Sequence, residues 1–240
     1  MAEIRVASFP ELHQALARYR SDTQWIYRGH GQEDWGLIPK AGRVPYVACD
    51  DVELFETWKR RAVEYTAIAP KDDWDWLAIA QHHGLATRLL DWTTNPLVAA
   101  FFATSVNPDA DCDAVAFAYH TDGTVETGAV SPTEFRGVAR FRPRGVAARI
   151  VRQEGLFTLH GPPSLNLTDH LRQHERLDRI LIDAKFRKTL QYELFQYGVT
   201  YLSLYPDLDG LSAHINWYAR HADYYRLTNV KRRGDPGVLA

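Results

Sequence analysis

Arg28 follows an apolar run, Trp25, Ile26 and Tyr27, and precedes Gly29, His30 and Gly31. The run reads as a short buried strand that the glycines break, which leaves Arg28 at its end. A guanidinium there presents a rigid fork of donors suited to phosphate or carboxylate. The flanking glycines let an anionic ligand approach the backbone. Its other role is to pair with a buried carboxylate, because structural ion pairs gather at similar places. A second polar group comprises Arg88, Asp91, Trp92, Thr93 and Thr94, ahead of Asn95-Pro96. Asn before Pro marks a helix N-terminus, where free N–H groups and the positive dipole end favour an anion. Threonine hydroxyls there bind phosphate or ribose, or cap the helix. Arg88 and Asp91 form either a structural pair or part of a ligand site.

The third polar group, Arg149, Arg152, Gln153 and Glu154, opens the segment GLFTLH, which reads as a strand. An exposed strand edge tolerates such residues equally well. Gln191 and Glu193 fall in an expected helix, where a solvated face is the plainer role for Glu193. His82-His83 ends another expected helix and has no metal-ligand spacing, so no metal is expected. The phosphate-loop, dinucleotide-fingerprint, HExxH and GxSxG patterns do not occur in the sequence.

The elements that must position these residues are short. Ser8 caps a helix starting at Phe9-Pro10, and Asp51 and Asp72 or Asp73 cap two more, over residues 53–68 and 74–82. Residues 87–92, 114–120, 155–160, 179–183 and 199–204 read as strands. Asn95 caps a helix to about Thr104, another spans residues 185–197, and a last one follows the PDLDG turn from Leu211. Residues 32–52 and 121–150 read as loop-rich. With 240 residues, 45% hydrophobic and 24% charged, the chain has material for one large core. The expected fold is α+β, a single domain of mixed short strands with peripheral helices over residues 1–230, followed by a loose tail over 231–240. The net charge of −2 argues against general charge-driven nucleic-acid affinity, although residues 136–152 are locally rich in arginine. Two cysteines far apart, no signal peptide and no long apolar run lead to the expectation of a cytoplasmic protein without membrane contact.

The sequence resembles the FRG domain family. The resemblance rests on Tyr27-Arg28-Gly29, Trp35-Gly36-Leu37-Ile38-Pro39, Arg43, Gln81-His82-His83-Gly84 and Thr87-Arg88-Leu89-Leu90-Asp91-Trp92-Thr93. Asn95-Pro96, the run from Ala99 to Ala103, Arg149, Gln153, Gly155, Phe157, Thr158 and the PDLDGL turn also match. A weaker resemblance is to the ADP-ribosyltransferase fold. It implies NAD as cofactor, with Arg28 on its phosphate or ribose and Thr93 and Thr94 shaping the nicotinamide pocket. Glu154 or Glu193 would be the catalytic carboxylate, and Trp92 a stacking surface. Tyr27, Gly29, His30, Arg88, Asp91 and Gln153 complete the implied cofactor site, and Arg28 and Thr93 count among its catalytic residues. The implied role is that of an intracellular toxin or antiphage effector that modifies a protein or nucleic-acid acceptor and is held in check by a neutralising partner. Two other readings stay open: a non-catalytic module for a nucleotide or phosphate ligand, and a nucleic-acid-binding protein.

Overall fold

The computed structural model describes residues 1–66, 70–105, 110–145 and 148–220. Its strands are β1 (Glu3–Val6), β2 (Trp25–His30), β3 (Leu89–Thr93), β4 (Ala114–His120), β5 (Gly137–Phe141), β6 (Gly155–Gly161) and β7 (Arg176–Ile182). They form one mixed sheet in the order β1-β7-β4-β2-β3-β6-β5. β1 runs parallel to β7, and the other neighbours are antiparallel. The helices are α1 (Phe9–Leu16), α2 (Asp51–Ala62), α3 (Asp73–His82), α4 (Pro96–Ser105), α5 (Ala148–Arg152), α6 (Arg187–Gln196), α7 (Tyr201–Leu204) and α8 (Leu208–Arg220). The fold is α+β, as the sequence leads one to expect.

Alternation along the strands sorts side chains between two faces. On β4, Ala114, Ala116 and Ala118 face α4 and α6, and their small size lets those helices lie close. Val98, Ala99, Phe101 and Ala103 of α4 and Leu190 and Leu194 of α6 fill that core, together with Leu12 and Leu16 of α1. A second core joins Phe55 of α2 and Trp74 and Leu77 of α3 to Leu89, Phe157 and Leu159 of the sheet. On the opposite face from α4, Ile26, Trp92, Val115, Phe117 and Tyr119 pack under Leu37 and Leu167 from the connecting segments. Each such side chain, fully buried, contributes roughly 1.5–3 kcal/mol relative to exposure.

Two features of the sheet position the site. First, β2 does not stop at Tyr27 but continues to His30, so Arg28 lies within the strand. Gly29 sustains it: a side chain there would meet the Ala99 carbonyl oxygen and the Ala103 amide nitrogen of α4. Second, β2 and β3 share a single register pair, Tyr27↔Thr93, whereas β4 pairs with β2 along its whole length and β6 with β3 likewise. The sheet therefore opens between β2 and β3 on the far side of that pair.

Residues 199–204 are not a strand. Thr200 and Ser203 form a reciprocal capping box that starts helix α7. Helix α2 ends at Ala62, short of the expected residue 68, and α8 begins at Leu208, inside the expected turn. β1 and β5 lie in segments with no strand signal strong enough to read. The expected tail from residue 231 falls outside the described residues. Among the described residues, no helix is long and apolar enough to cross a membrane.

Candidate functional site

The opening between β2 and β3 is the mouth of a cavity of about 350 Å³. Tyr27, Arg28, Gly29 and His30 of β2 line it, with Trp35 and Arg43 from the following loop. Gln81 and His82 come from the end of α3, Asp91 and Thr93 from β3, Arg149 from α5, Gln153 from the turn before β6, and Tyr205 from the segment after α7.

Arg28 crosses the opening. Its Nη1 donates to the Asp91 carbonyl oxygen at 2.6 Å, so a side chain satisfies a strand carbonyl where the two strands have parted. The same nitrogen lies 3.6 Å from Asp91 Oδ2. Nε donates to His30 Nε2 at 2.8 Å. Arginine is a donor only, so that imidazole nitrogen accepts, and the proton sits on Nδ1, 3.2 Å from the Trp35 carbonyl oxygen. Burial, with Arg28 and Arg43 adding like charge, pushes the His30 pKa down to about 3. His30 therefore stays neutral and holds Arg28 in place. Burial also lowers the Arg28 pKa, opposed by Asp91 and reinforced by Arg43, yet a guanidinium remains charged at neutral pH.

Two more arginines face the cavity. Arg43 is exposed, and its guanidinium makes no hydrogen bond or ion pair among the described residues. Arg149 donates to Asp207 Oδ2 at 2.6 Å, lies 4.6 Å over the Tyr205 ring, and has a buried Nε without a partner. Gln81 is fixed at both ends of its amide: Thr87 Oγ1 donates to Oε1 at 2.6 Å, and Nε2 donates to Asp91 Oδ2 at 3.0 Å. His82, held below its ordinary pKa mainly by burial and then by His83 and Arg149, adds a neutral ring. A site with three convergent cations, amide groups and aromatic surface suits an anionic ligand that also carries rings.

The structure separates the expected site residues into those at the cleft and those elsewhere. Tyr27, Arg28, Gly29, His30, Asp91, Thr93 and Gln153 come together there. Arg88 does not. It is buried, grips both carboxylate oxygens of Asp51 at 2.7 and 2.9 Å, and donates to the carbonyls of Pro132 and Thr133. Thr94 and Glu154 bind each other instead: Thr94 Oγ1 and Asn95 Nδ2 donate to the Glu154 carboxylate at 3.0 and 3.1 Å. Neither residue lines the cavity. The Thr93 hydroxyl donates to the Gln153 carbonyl and accepts from the Asn95 amide, so it ties β3 to the turn before β6. The start of α4 is no open anion site, since the Asn95 side chain accepts from the Leu97 amide and Glu154 already stands beside it.

Glu193 on α6 is also absent from the cavity lining. Trp92 contributes to the wall, but its ring is buried in the core, 5.5 Å from Tyr119, with its N–H bonded to Thr158. Trp35, which is 42% exposed, and Tyr205 are among the other aromatic residues that line the cavity. In the arginine-rich stretch Arg136, Arg142, Arg144 and Arg152 are exposed and Arg140 and Arg149 partly buried, and most of them are engaged within the protein. Arg136 donates to carbonyls of its own loop, Arg140 to Thr124, Arg144 to Asp72 and Asp75, and Arg149 to Asp207. Sequence reasoning had no role for Arg43, Gln81 or Tyr205. Arg43 and Gln81 stood among the residues that carry the FRG resemblance, but a basic residue after Gly42 and a polar residue at a helix end are too common to suggest a role, and nothing local marks Tyr205.

Among the described residues, no group of three or more His, Cys, Asp or Glu is placed to hold a metal ion. No curated protein and no solved structure matches the chain. The wall built from Arg28, Arg43, Gln81 and Asp91 lies within residues 23–112, the part of the chain that matches the family model of the FRG domain.

Proposed function

We propose that the chain is an NAD-using, ADP-ribosyltransferase-like enzyme and that the dinucleotide sits in the β2–β3 cleft. The observation that supports this most directly is the convergence of Arg28, Arg43 and Arg149 on one opening in the sheet. A pyrophosphate brings two negative charges, and a guanidinium pair or trio answers them with directed hydrogen bonds. Arg28 supplies the preorganised part of that grip, since His30 and the Asp91 carbonyl fix its orientation before a ligand arrives. Trp35 and Tyr205 supply aromatic surface for the rings. The FRG resemblance adds the expectation of a toxin or antiphage effector.

The test is direct. Purified protein binds NAD by calorimetry and releases nicotinamide from it, alone or with a protein or nucleic-acid acceptor. Arg28→Ala weakens NAD binding at least tenfold, which corresponds to about 1.4 kcal/mol. Arg28→Lys behaves almost as badly, because a lysine cannot serve His30 and Asp91 together. If NAD neither binds nor is consumed with both acceptor classes present, the reading is wrong.

A second reading has its own support: neither of the expected glutamates lines the cleft, and the Thr93 hydroxyl is already engaged. The chain would then be a module that binds a nucleotide and leaves it intact. NAD that binds tightly and is recovered unchanged would favour that reading.

A further inference from the structure

We propose that Asp91 is the catalytic carboxylate of the cleft and that Gln81 is its positioning residue. This rests on the NAD-cleaving reading above and names the group that such chemistry needs. Among the described residues lining the cavity, Asp91 is the one carboxylate. Its side chain is 58% exposed, whereas that of Arg28 beside it is 17% exposed. Oδ2 accepts from Gln81 Nε2 at 3.0 Å and lies 3.6 Å from Arg28 Nη1. Oδ1 makes no hydrogen bond within the described protein and is left for a ligand. The orientation is enforced from behind. Thr87, which is 1% exposed, donates to Gln81 Oε1 at 2.6 Å, so the Gln81 amide can present only its NH2 to Asp91. Glu154 is committed to Thr94 and Asn95, and Asp207, which pairs with Arg149, is not part of the lining.

The bond between ribose C1′ and the nicotinamide nitrogen breaks, and its electron pair leaves with neutral nicotinamide. The positive charge left at C1′ is stabilised by the Asp91 carboxylate. Water or an acceptor hydroxyl attacks C1′ with an oxygen lone pair and forms the new C–O bond. Its proton passes to Asp91 Oδ1 and then to solvent, so one proton is released per turnover. Gln81 keeps the carboxylate aimed at C1′ throughout and touches no reacting atom.

The experiment compares NAD binding and nicotinamide release for the wild type, Asp91→Asn, Asp91→Glu, Gln81→Met and Glu193→Gln, with thermal melting of each as the folding control. Asp91→Asn is expected to lower the release rate about 10²–10³-fold while NAD affinity changes far less. Asp91→Glu recovers part of the rate, and it serves as the test if Asp91→Asn does not fold. Gln81→Met lowers kcat roughly 10–100-fold and leaves KM nearly unchanged, a split that a merely structural residue does not produce. Glu193→Gln keeps the wild-type rate. Wild-type turnover by Asp91→Asn overturns the assignment and leaves the NAD reading intact. Failure of the wild type itself to bind or cleave NAD overturns the reading and this assignment with it.

Discussion

Residue types do not carry their roles with them; their partners decide. Arg28 and Arg88 are both arginines beside apolar strands, yet one faces a cavity and the other is buried against Asp51. Nothing local to Arg88 announces a partner 37 residues away, so the sequence could assign it to a ligand as readily as to the core. Glu154 was open to a ligand role for the same reason, since its partners Thr94 and Asn95, at the end of the neighbouring strand, are 60 and 59 residues away in sequence. Arg28, Asp91 and Gln153, all singled out from the sequence, do line the cavity, although Arg28 lies within β2 and not at a strand end. The histidines allow a quantitative expectation. Burial pushes the His30 pKa down to about 3 and the His160 pKa down to about 4. Both folded-state values lie below the ordinary value near 6.5, so between those limits the unfolded chain holds the extra protons. Stability is therefore complete above about pH 6.5 and falls as the pH drops toward 4 and 3, by about 1.4 kcal/mol per pH unit for each histidine. Urea midpoints measured from pH 7.5 to 4 should show this slope. His160→Gln, which keeps a neutral hydrogen-bonding side chain, should make it shallower; an unchanged slope would mean that this histidine is not held neutral.

At the scale of elements, helix caps and strongly patterned strands were readable, and contact-dependent elements were not. Ser8 and Asp72 cap α1 and α3 as expected, through side-chain acceptance of backbone N–H groups, whereas α2 is capped by Asp50 and not by the expected Asp51, whose carboxylate is taken by Arg88. β4, buried along almost its whole length, reads as a strand at once. β1 escaped because its four residues find their partner in β7, far along the chain. The glycine in β2 looked like a strand break, whereas its role is to admit α4. Gly29→Ala puts a methyl group against the backbone of α4, which cannot yield as a flexible side chain would. We expect a loss of about 1–3 kcal/mol or more in chemical unfolding, together with weaker ligand binding, since Arg28 precedes the displaced residue. An alanine variant as stable as the wild type would show that α4 moves freely, contrary to its packing against Ala114, Ala116 and Ala118.

Across the whole molecule, the α+β class and the polar clusters were visible in the sequence, but the parting of the sheet was not. Strand pairing depends on what each edge meets, and that is settled by folding over long distances. The consequence of the single Tyr27↔Thr93 pair is mechanical. The cleft walls belong to different halves of the sheet, Arg28 and His30 on one and Asp91, Arg149 and Gln153 on the other. A ligand held by both walls works as a rivet across a seam, and its binding energy adds to the cost of pulling the halves apart. Amide hydrogen exchange should therefore slow in β2 and β3 when NAD is bound, while β1 and β7, remote from the seam, keep their rates. Uniform slowing over all seven strands would mean that the sheet opens as one body and that the seam has no independent motion.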